Sequence, residues 1–398
     1  MPGGPAGNPG RGLRAPALWV WKNLLSPWYN AVLTAVALAV LGAVVPRVWR
    51  WAVDAEWSVI PANLTLLLAG TYPREEIWRL WAAVASLAGL AGLSGGTYRG
   101  SARKWMTAAF LCAAAAALVP AAAPSRMWLL TLGGLLAGGF SLGRRVAAAF
   151  GPAWRRILGA MWMASAAWVY VLLHGIAGSA VFPPVPTSSW GGLTMTLVLT
   201  AVGIIASFPL GVLLALGRRS ALPAIRWACT AYIETVRGVP LISILFMAQV
   251  LLPIFLPDYR LEHVVRAMIG ITLFSAAYMA ENVRGGLQGV PKGQVEAAQA
   301  LGLSNARILW LIVLPQALRA VLPSVVGQFI SLLKDTSLVA IVGLLELLGI
   351  ARSILANPAW LGLQAEVYLF VALIYFIFSF SMSSASRRLE RALGLGER

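Results

Sequence analysis

Few residues in this chain have types and spacing suited to chemistry, and most of them lie between residues 234 and 337. The polar stretch 284–319 carries Glu296-Ala297-Ala298 midway along a segment that opens at Pro291 and closes before Gly302. Proline suits the first turn of a helix and glycine the residue past its end, so 291–301 is expected to be a short helix. Ser304 can cap a second helix running toward Pro315. A rod over 291–301 would be roughly 16 Å long, too short to cross a membrane and long enough to enter a groove. Ala297 and Ala298 permit close approach by another protein, and Glu296 offers one ion-pair partner. A solvated re-entry loop with a capped helix accounts for the same residues. A DNA-reading helix-turn-helix does not, because the rod is not basic and both flanks are apolar.

The other candidates are charges set in apolar sequence: Lys334 and Asp335, with Glu281 and Glu234 near the ends of apolar runs. Neighbouring helical residues point about 100° apart, so Lys334 and Asp335 cannot share one face. Either a broken helix at 333–338 exposes polar groups to a path, or Asp335 or Thr336 caps a half-helix while Lys334 pairs with Glu281. The remaining reactive types supply little. His174 and His263 stand alone, and Cys112 and Cys229 are far apart with neither metal nor disulfide spacing. No G-x-x-x-x-G-K-[ST] phosphate loop occurs in the sequence. No catalytic residue and no metal ligand is therefore expected.

These residues sit in a chain of 398 residues that is 59% hydrophobic, 11% charged and of mean hydropathy +0.78. Soluble domains carry about 25% charged residues, so a soluble enzyme and a disordered chain are both excluded. Ten apolar segments can be drawn: 28–46, 80–96, 105–123, 127–142, 157–180, 191–217, 238–257, 264–283, 320–342 and 365–386. An all-α polytopic membrane protein of about ten transmembrane helices is expected. Arg11 and Arg14 precede a run at 31–45 read as a retained helix, since no convincing cleavage site separates them. Pro253 and Pro257 should kink or end the seventh span.

The net charge of +17 does not point to nucleic acid, because the basic residues fall in short clusters between apolar runs. With the N-terminus inside, 22 Lys+Arg lie in one set of connecting stretches and 8 in the other. That asymmetry places both termini in the cytoplasm. The stretch 47–79 is the longest irregular one on the opposite side, and its tryptophans suit the membrane surface. Phe182-Pro-Pro-Val-Pro186 breaks helical sequence and marks a boundary near 185. The resulting division is 1–185 as an N-terminal membrane extension of about five helices, 186–390 as a second membrane unit and 391–398 as a tail. Gly92/Gly96 and Gly134/Gly138 have the spacing of close helix packing.

Glu296-Ala297-Ala298, then Gly302 and Ile312-Val313-Leu314-Pro315, resembles in both spacings the EAA loop of bacterial ABC importer permeases. Tyr232-Ile-Glu-Thr-Val-Arg-Gly-Val-Pro-Leu241, Val283-Arg-Gly-Gly-Leu-Gln-Gly-Val-Pro-Lys-Gly293 and Leu333-Lys-Asp-Thr-Ser-Leu338 are similar to its polar-amino-acid branch. Leu213-Leu-Ala-Leu-Gly-Arg-Arg-Ser220 and Met279-Ala-Glu-Asn-Val-Arg284 resemble the general L-amino-acid permeases, which also carry a long N-terminal half. Asn282 departs from the pattern, since an apolar residue is expected there. The resemblance is strong over 187–390 and a matter of layout before it.

The resemblance implies a type I (MetI-like) permease core made by the C-terminal five helices, in the bacterial inner membrane. Glu296, Ala297, Ala298, Gly302, Ile312 and Pro315 would belong to a coupling helix and loop that dock on a cytoplasmic ATPase dimer. ATP and Mg would reside on that partner and no cofactor on this chain. A second permease, related or identical, and a periplasmic amino-acid-binding protein would complete the machine. Candidates for the substrate path are Gln249, Ser275, Tyr278, Glu281, Gln328, Ser331, Lys334, Asp335, Thr336 and Ser337. The competing reading is a stand-alone ion-coupled secondary transporter using Glu281 and Asp335 as ion sites. It would leave the motif loop unexplained and calls for inverted repeats that the sequence does not display.

Overall fold

A computed structural model describes residues 19–98, 102–118, 124–259 and 261–394. Arg11, Arg14, Arg260 and the end of the tail, 395–398, lie outside the described residues. Those described are helical apart from turns and one isolated bridge. They fall into two compact units divided between Val59 and Ile60.

The first unit is a π-helical turn, Trp21–Leu25, and α1, Trp28–Asp54. α1 buries none of its residues. Its 27 residues make a helix of about 40 Å, ample for a hydrocarbon core of about 30 Å. Thr34 donates its hydroxyl to Leu24 O at 2.7 Å, tying the turn to the helix. The region 47–79, expected to be irregular, is largely helical. α1 runs through Pro46 to Asp54, and Val59–Ala69 forms α2.

In the second unit α2 is followed by α3 (Ile77–Thr97), α4 (Ala102–Ala117) and α5 (Pro124–His174). α5 is one run of 51 residues broken at Gly151, whose φ of +55° only glycine adopts readily. Contacts with α3 show that the chain reverses there. Trp128 stacks on Trp81, and Arg79 meets the carbonyl of Leu172, so both ends of α5 lie beside the start of α3. Trp154, just past the break, donates to Thr97 at the far end of α3. The expected segments 127–142 and 157–180 are the two limbs of this hairpin. The close-packed glycines differ from expectation. A Cβ on Gly92 would stand 2.7 Å from Leu136 O and one on Gly139 2.9 Å from Gly89 O, whereas Gly134 and Gly138 face open space. The α5 stripe is therefore Gly139 with Gly143, one residue out of phase with the pair read from sequence.

The C-terminal part contains α6 (Gly192–Gly217), α7 (Pro223–Gly238), α8 (Leu241–Phe255) and α9 (His263–Gly289). It continues with α10 (Lys292–Ala300), α11 (Asn305–Ile308), α12 (Leu314–Asp335), α13 (Leu347–Leu355) and α14 (Gln364–Ala392). α9 is its axle, packed on α6, α8 and α12 and buried along most of its length. Gly211 lets α6 close on Met279, and Gly203 lets it close on Leu332 and Ile271. α8 departs from the expected span at 238–257. It has 15 residues, about 22 Å, and stands at 111° to α7. The connecting stretch between the apolar segments 191–217 and 238–257 is mostly α7, which is amphipathic. α8 ends at Phe255, between Pro253 and Pro257.

Seven described helices are long and apolar enough to cross a membrane, or eight if α7 and α8 form one broken span. The figure falls below ten because α4 and α8 are short and α5 counts once despite its reversal.

The limb of α5 that ends at His174 is held to α3 by a buried cation. Arg79 is fully buried, donates to Leu172 O at 2.5 Å and to Pro183 O at 2.8 Å, and lies 3.5 Å from Glu76. The same end of the extension is joined to α6. Thr194 donates to Leu68 O at 2.9 Å, and Gly191 and Gly70 meet backbone to backbone.

Candidate functional site

The rod expected at 291–301 is α10, Lys292–Ala300, entered through the extended backbone of Pro291. Gly302 follows with φ +75°, the left-handed conformation expected of a helix-terminating glycine. The Leu303 N–H reaches Ala298 O at 3.1 Å and the Gly302 N–H reaches Gln299 O at 2.9 Å. This pair of bonds satisfies the last carbonyls of the helix in a Schellman arrangement. Ser304 occupies the capping position of α11, but its hydroxyl makes no capping bond. α11 does not stop at Pro315. It passes through a π-helical turn, Leu309–Val313, directly into α12.

α10 has an inner and an outer face. Ala298 is 2% exposed and packs in one apolar cluster with Ile308, Val313, Leu314 and Ala317. Ile312 is half-buried beside it, while Glu296, Ala297, Gly302 and Pro315 are exposed. Leu301, at the tip of the rod, is 82% exposed. The rod is thus anchored through Ala298 and presents a carboxylate, two small residues and one leucine outward.

Behind the rod stands a cluster of five charges. Arg218, just past α6, lies 2.8 Å from Glu234 and 3.5 Å from Glu281. Arg237 lies 3.6 Å from Glu281, and Arg284 grips the same carboxylate through Nε at 2.9 Å and through a second N–H. Tyr278 joins by donating its hydroxyl to Arg237 O at 3.4 Å and by lying under that guanidinium, 5.7 Å from its ring centre. The pairing of Lys334 with Glu281 is therefore replaced by three arginines from α6, α7 and α9. That carboxylate is already matched by three cations.

The remaining path candidates separate into three environments. Gln328, Ser331 and Asp335 lie half-buried on one stripe of α12, spaced three and four residues apart. Ser324 extends the stripe by one turn, and exposed Gly327 and Lys334 flank it. The opposite face, with Val321, Val325 and Leu332, is buried. Thr336 is buried and turns its hydroxyl back to Leu333 O at 2.7 Å. Past Asp335 the helix tightens to a 3-10 helix, Thr336–Val342, which carries half-buried Ser337. Neither Asp335 nor Thr336 caps a half-helix. Ser275 is buried within α9, and Gln249 binds the start of that helix by donating to His263 O at 2.8 Å.

Sequence reasoning missed Glu346. It is fully buried, caps α13 by accepting from Leu348 N and Gly349 N at 2.8 Å each, and accepts from Tyr375 of α14 at 3.0 Å. Thr196 of α6 lies 3.5 Å away. A glutamate directly before an apolar helical run was the available signal.

The comparisons fit this geometry. The family model for the binding-protein-dependent transport system inner membrane component matches residues 207–394, from within α6 to the end of α14. The inner membrane amino-acid ABC transporter permease protein YhdY of Escherichia coli (strain K12) is 37% identical over 403 residues, covering 95% of this chain and 93% of that protein. The glutamate/glutamine/aspartate/asparagine transport system permease protein BztC of Rhodobacter capsulatus is 38% identical over 386 residues, covering 94% of this chain and 88% of that protein. Among solved structures, a crystal structure of an amino acid ABC transporter with histidines aligns at TM-score 0.46 and 31% identity, over 50% of this chain and 92% of that one. Through matches that run nearly end to end, this multi-pass membrane chain belongs to the inner membrane components of binding-protein-dependent transport systems, the permease subunits of ABC importers.

Proposed function

We propose that the chain forms one half of the membrane pathway of an ATP-driven importer for polar L-amino acids. The observation that carries this reading is α10, a rod fixed by Ala298 at its inner face and open at Glu296 and Ala297 on its outer face. A rod hung rigidly between α9 and α12 can pass a push from a soluble partner into both helices. Glu296, Ala297, Ala298, Gly302, Ile312 and Pro315 make that coupling element, and the partner is a cytoplasmic ATPase dimer that holds ATP and Mg. The division 1–185, 186–390 and 391–398 is kept as extension, permease core and tail, with both termini in the cytoplasm.

The polar stripe of α12 supports a pathway shared with a second permease, identical or related. A charge at the centre of a membrane helix costs about 2.5–3.5 kcal/mol by insertion scales, so Lys334 and Asp335 need water or another polypeptide against them. Gln328, Ser331, Asp335 and Ser337 are the groups nearest such a path, offering donors and acceptors to a zwitterion. Gln249, Ser275, Tyr278, Glu281 and Thr336 are the further candidates for the path. A periplasmic binding protein delivers the amino acid, and closure of the ATPases opens the path outward. The polar amino-acid class rests on the relatives, above all BztC, a glutamate/glutamine/aspartate/asparagine transport system permease protein.

The test is affinity purification of the tagged chain from its own membranes, beside Glu296→Lys, with co-purifying proteins identified. An ATPase recovered with wild type and depleted with the variant supports the reading. Recovery of no ATPase, together with amino-acid uptake by the purified chain down an ion gradient, overturns it.

A further inference from the structure

A cavity of about 970 Å³ opens between α10 and the ends of α6 and α9. We propose that it is a binding site for an anionic glycerophospholipid of the leaflet that α10 faces. The inference rests on the importer reading only for which side of the membrane that is. The location suits a lipid, because the two spans bounding the cavity end beside it, α6 at Gly217 and α9 at Gly289. The cavity therefore sits just past the apolar segments 191–217 and 264–283. Its wall has the two halves of such a ligand. Leu216, Leu287, Val290 and Ile308 supply an apolar side, and Arg219 and Lys292 supply cations.

The charge balance selects the headgroup. Glu296 is the one carboxylate in the lining, against two cations, so a headgroup of net negative charge is favoured over a zwitterionic one. Arg219 spends one N–H on Leu287 O at 3.4 Å, which steadies the guanidinium at the wall while leaving its other donors for a phosphate. Lys292 is the first residue of α10, and no side chain caps that helix, so the positive end of its dipole adds to the two cations. Ile225 of α7 adds to the apolar side of the cavity. A lipid seated here would lie against the Lys292, Val295, Glu296 and Gln299 side of the coupling rod and would stiffen its join to the membrane helices.

The test is native mass spectrometry of the full-length chain in a mild detergent, titrated with phosphatidylglycerol or with phosphatidylcholine. Wild type is expected to retain one phosphatidylglycerol at concentrations where phosphatidylcholine is not retained, less so at high salt. Arg219→Glu should weaken retention about tenfold or more. Ile225→Trp, which fills the cavity and leaves both cations, should do the same, and thermal midpoints check that both variants fold. Equal retention of both lipids, or full retention by the two folded variants, overturns the site. Recovery of an ATPase is scored separately on the same preparation, so an importer without a lipid site and a lipid site without an importer give different results.

Discussion

Arg218, one residue beyond the end of α6, lies 2.8 Å from the carboxylate of Glu234 on α7. That contact is the outer link of the cluster in which Glu281 meets three guanidinium groups from three elements. α7 and α8 form an elbow of 111°, and the cluster ties α7 to α9 and to the end of α6, beside the bond from Tyr232 to Leu273 O. Replacing Glu281 by Gln leaves Arg237 and Arg284 without their carboxylate, while Arg218 keeps Glu234. We expect a loss of about 1–2 kcal/mol of stability, held below the value for a fully buried pair because the side chains are partly exposed. The double variant Glu281→Gln, Arg284→Gln should lose less than the sum of the two single changes. A thermal-melt cycle on the four proteins measures this, and strict additivity would show the contacts to be independent.

Glu346 is tied to four partners from three helices, and each bond replaces water that the buried carboxylate has lost. Glu346→Ala removes the cap of α13, takes one partner from Tyr375 and leaves two backbone N–H groups unpartnered, an expected loss of about 3 kcal/mol. Tyr375→Phe removes one partner and should cost about 1–2 kcal/mol. The order Glu346→Ala worse than Tyr375→Phe in thermal midpoint is the checkable outcome.

The two alanines of the motif should separate stability from coupling. Ala298 is buried in the apolar cluster, so Ala298→Gln puts an amide where no partner is available and should lower the melting point by several degrees. Ala297 is exposed, so Ala297→Gln should leave the melting point unchanged and reduce ATP-driven uptake by the reconstituted importer. Equal effects of the two variants on both readouts would contradict the two-faced rod.

How much of this was legible in the sequence depends on the range of the interaction concerned. The rod at 291–301 was readable because Pro291 and Gly302 act within a turn of themselves. The helical, membrane-spanning class was readable because it depends on composition. α7 leaves no trace among the apolar segments, since a charged amphipathic helix of 16 residues does not register as an apolar run. Glycine phase was missed in α5 because glycines at 133, 134, 138, 139 and 143 offer several equivalent stripes, and only contact with α3 selects one. Arg284 stands three residues from Glu281 on one helix, a local spacing, whereas Arg218 and Arg237 reach that carboxylate only through the tertiary fold. Arg79 would not be placed in the interior by any local rule, since its carbonyl partners belong to Leu172 and Pro183.

That buried Arg79 stands beside a phenol whose ionisation gives the last prediction. Tyr72 is 4% exposed and donates to Leu173 O at 2.8 Å, outside the spanning segments. Burial pushes its pKa up to about 12, partly offset by the nearby charge of Arg79. The folded state therefore holds its proton more tightly than the unfolded chain, whose phenol titrates near the usual value of about 10. The associated stability is fully present below pH 10 and falls as pH rises toward 12, by about 1.4 kcal/mol at pH 11. Tyr72→Phe lacks the hydrogen bond and should be about 1 kcal/mol less stable at pH 8. It has no phenol to titrate, so its deficit should shrink and cross zero near pH 11. Chemical unfolding of both proteins between pH 8 and 11 reads the difference directly, and a deficit constant with pH would show that Tyr72 is not held protonated by the fold.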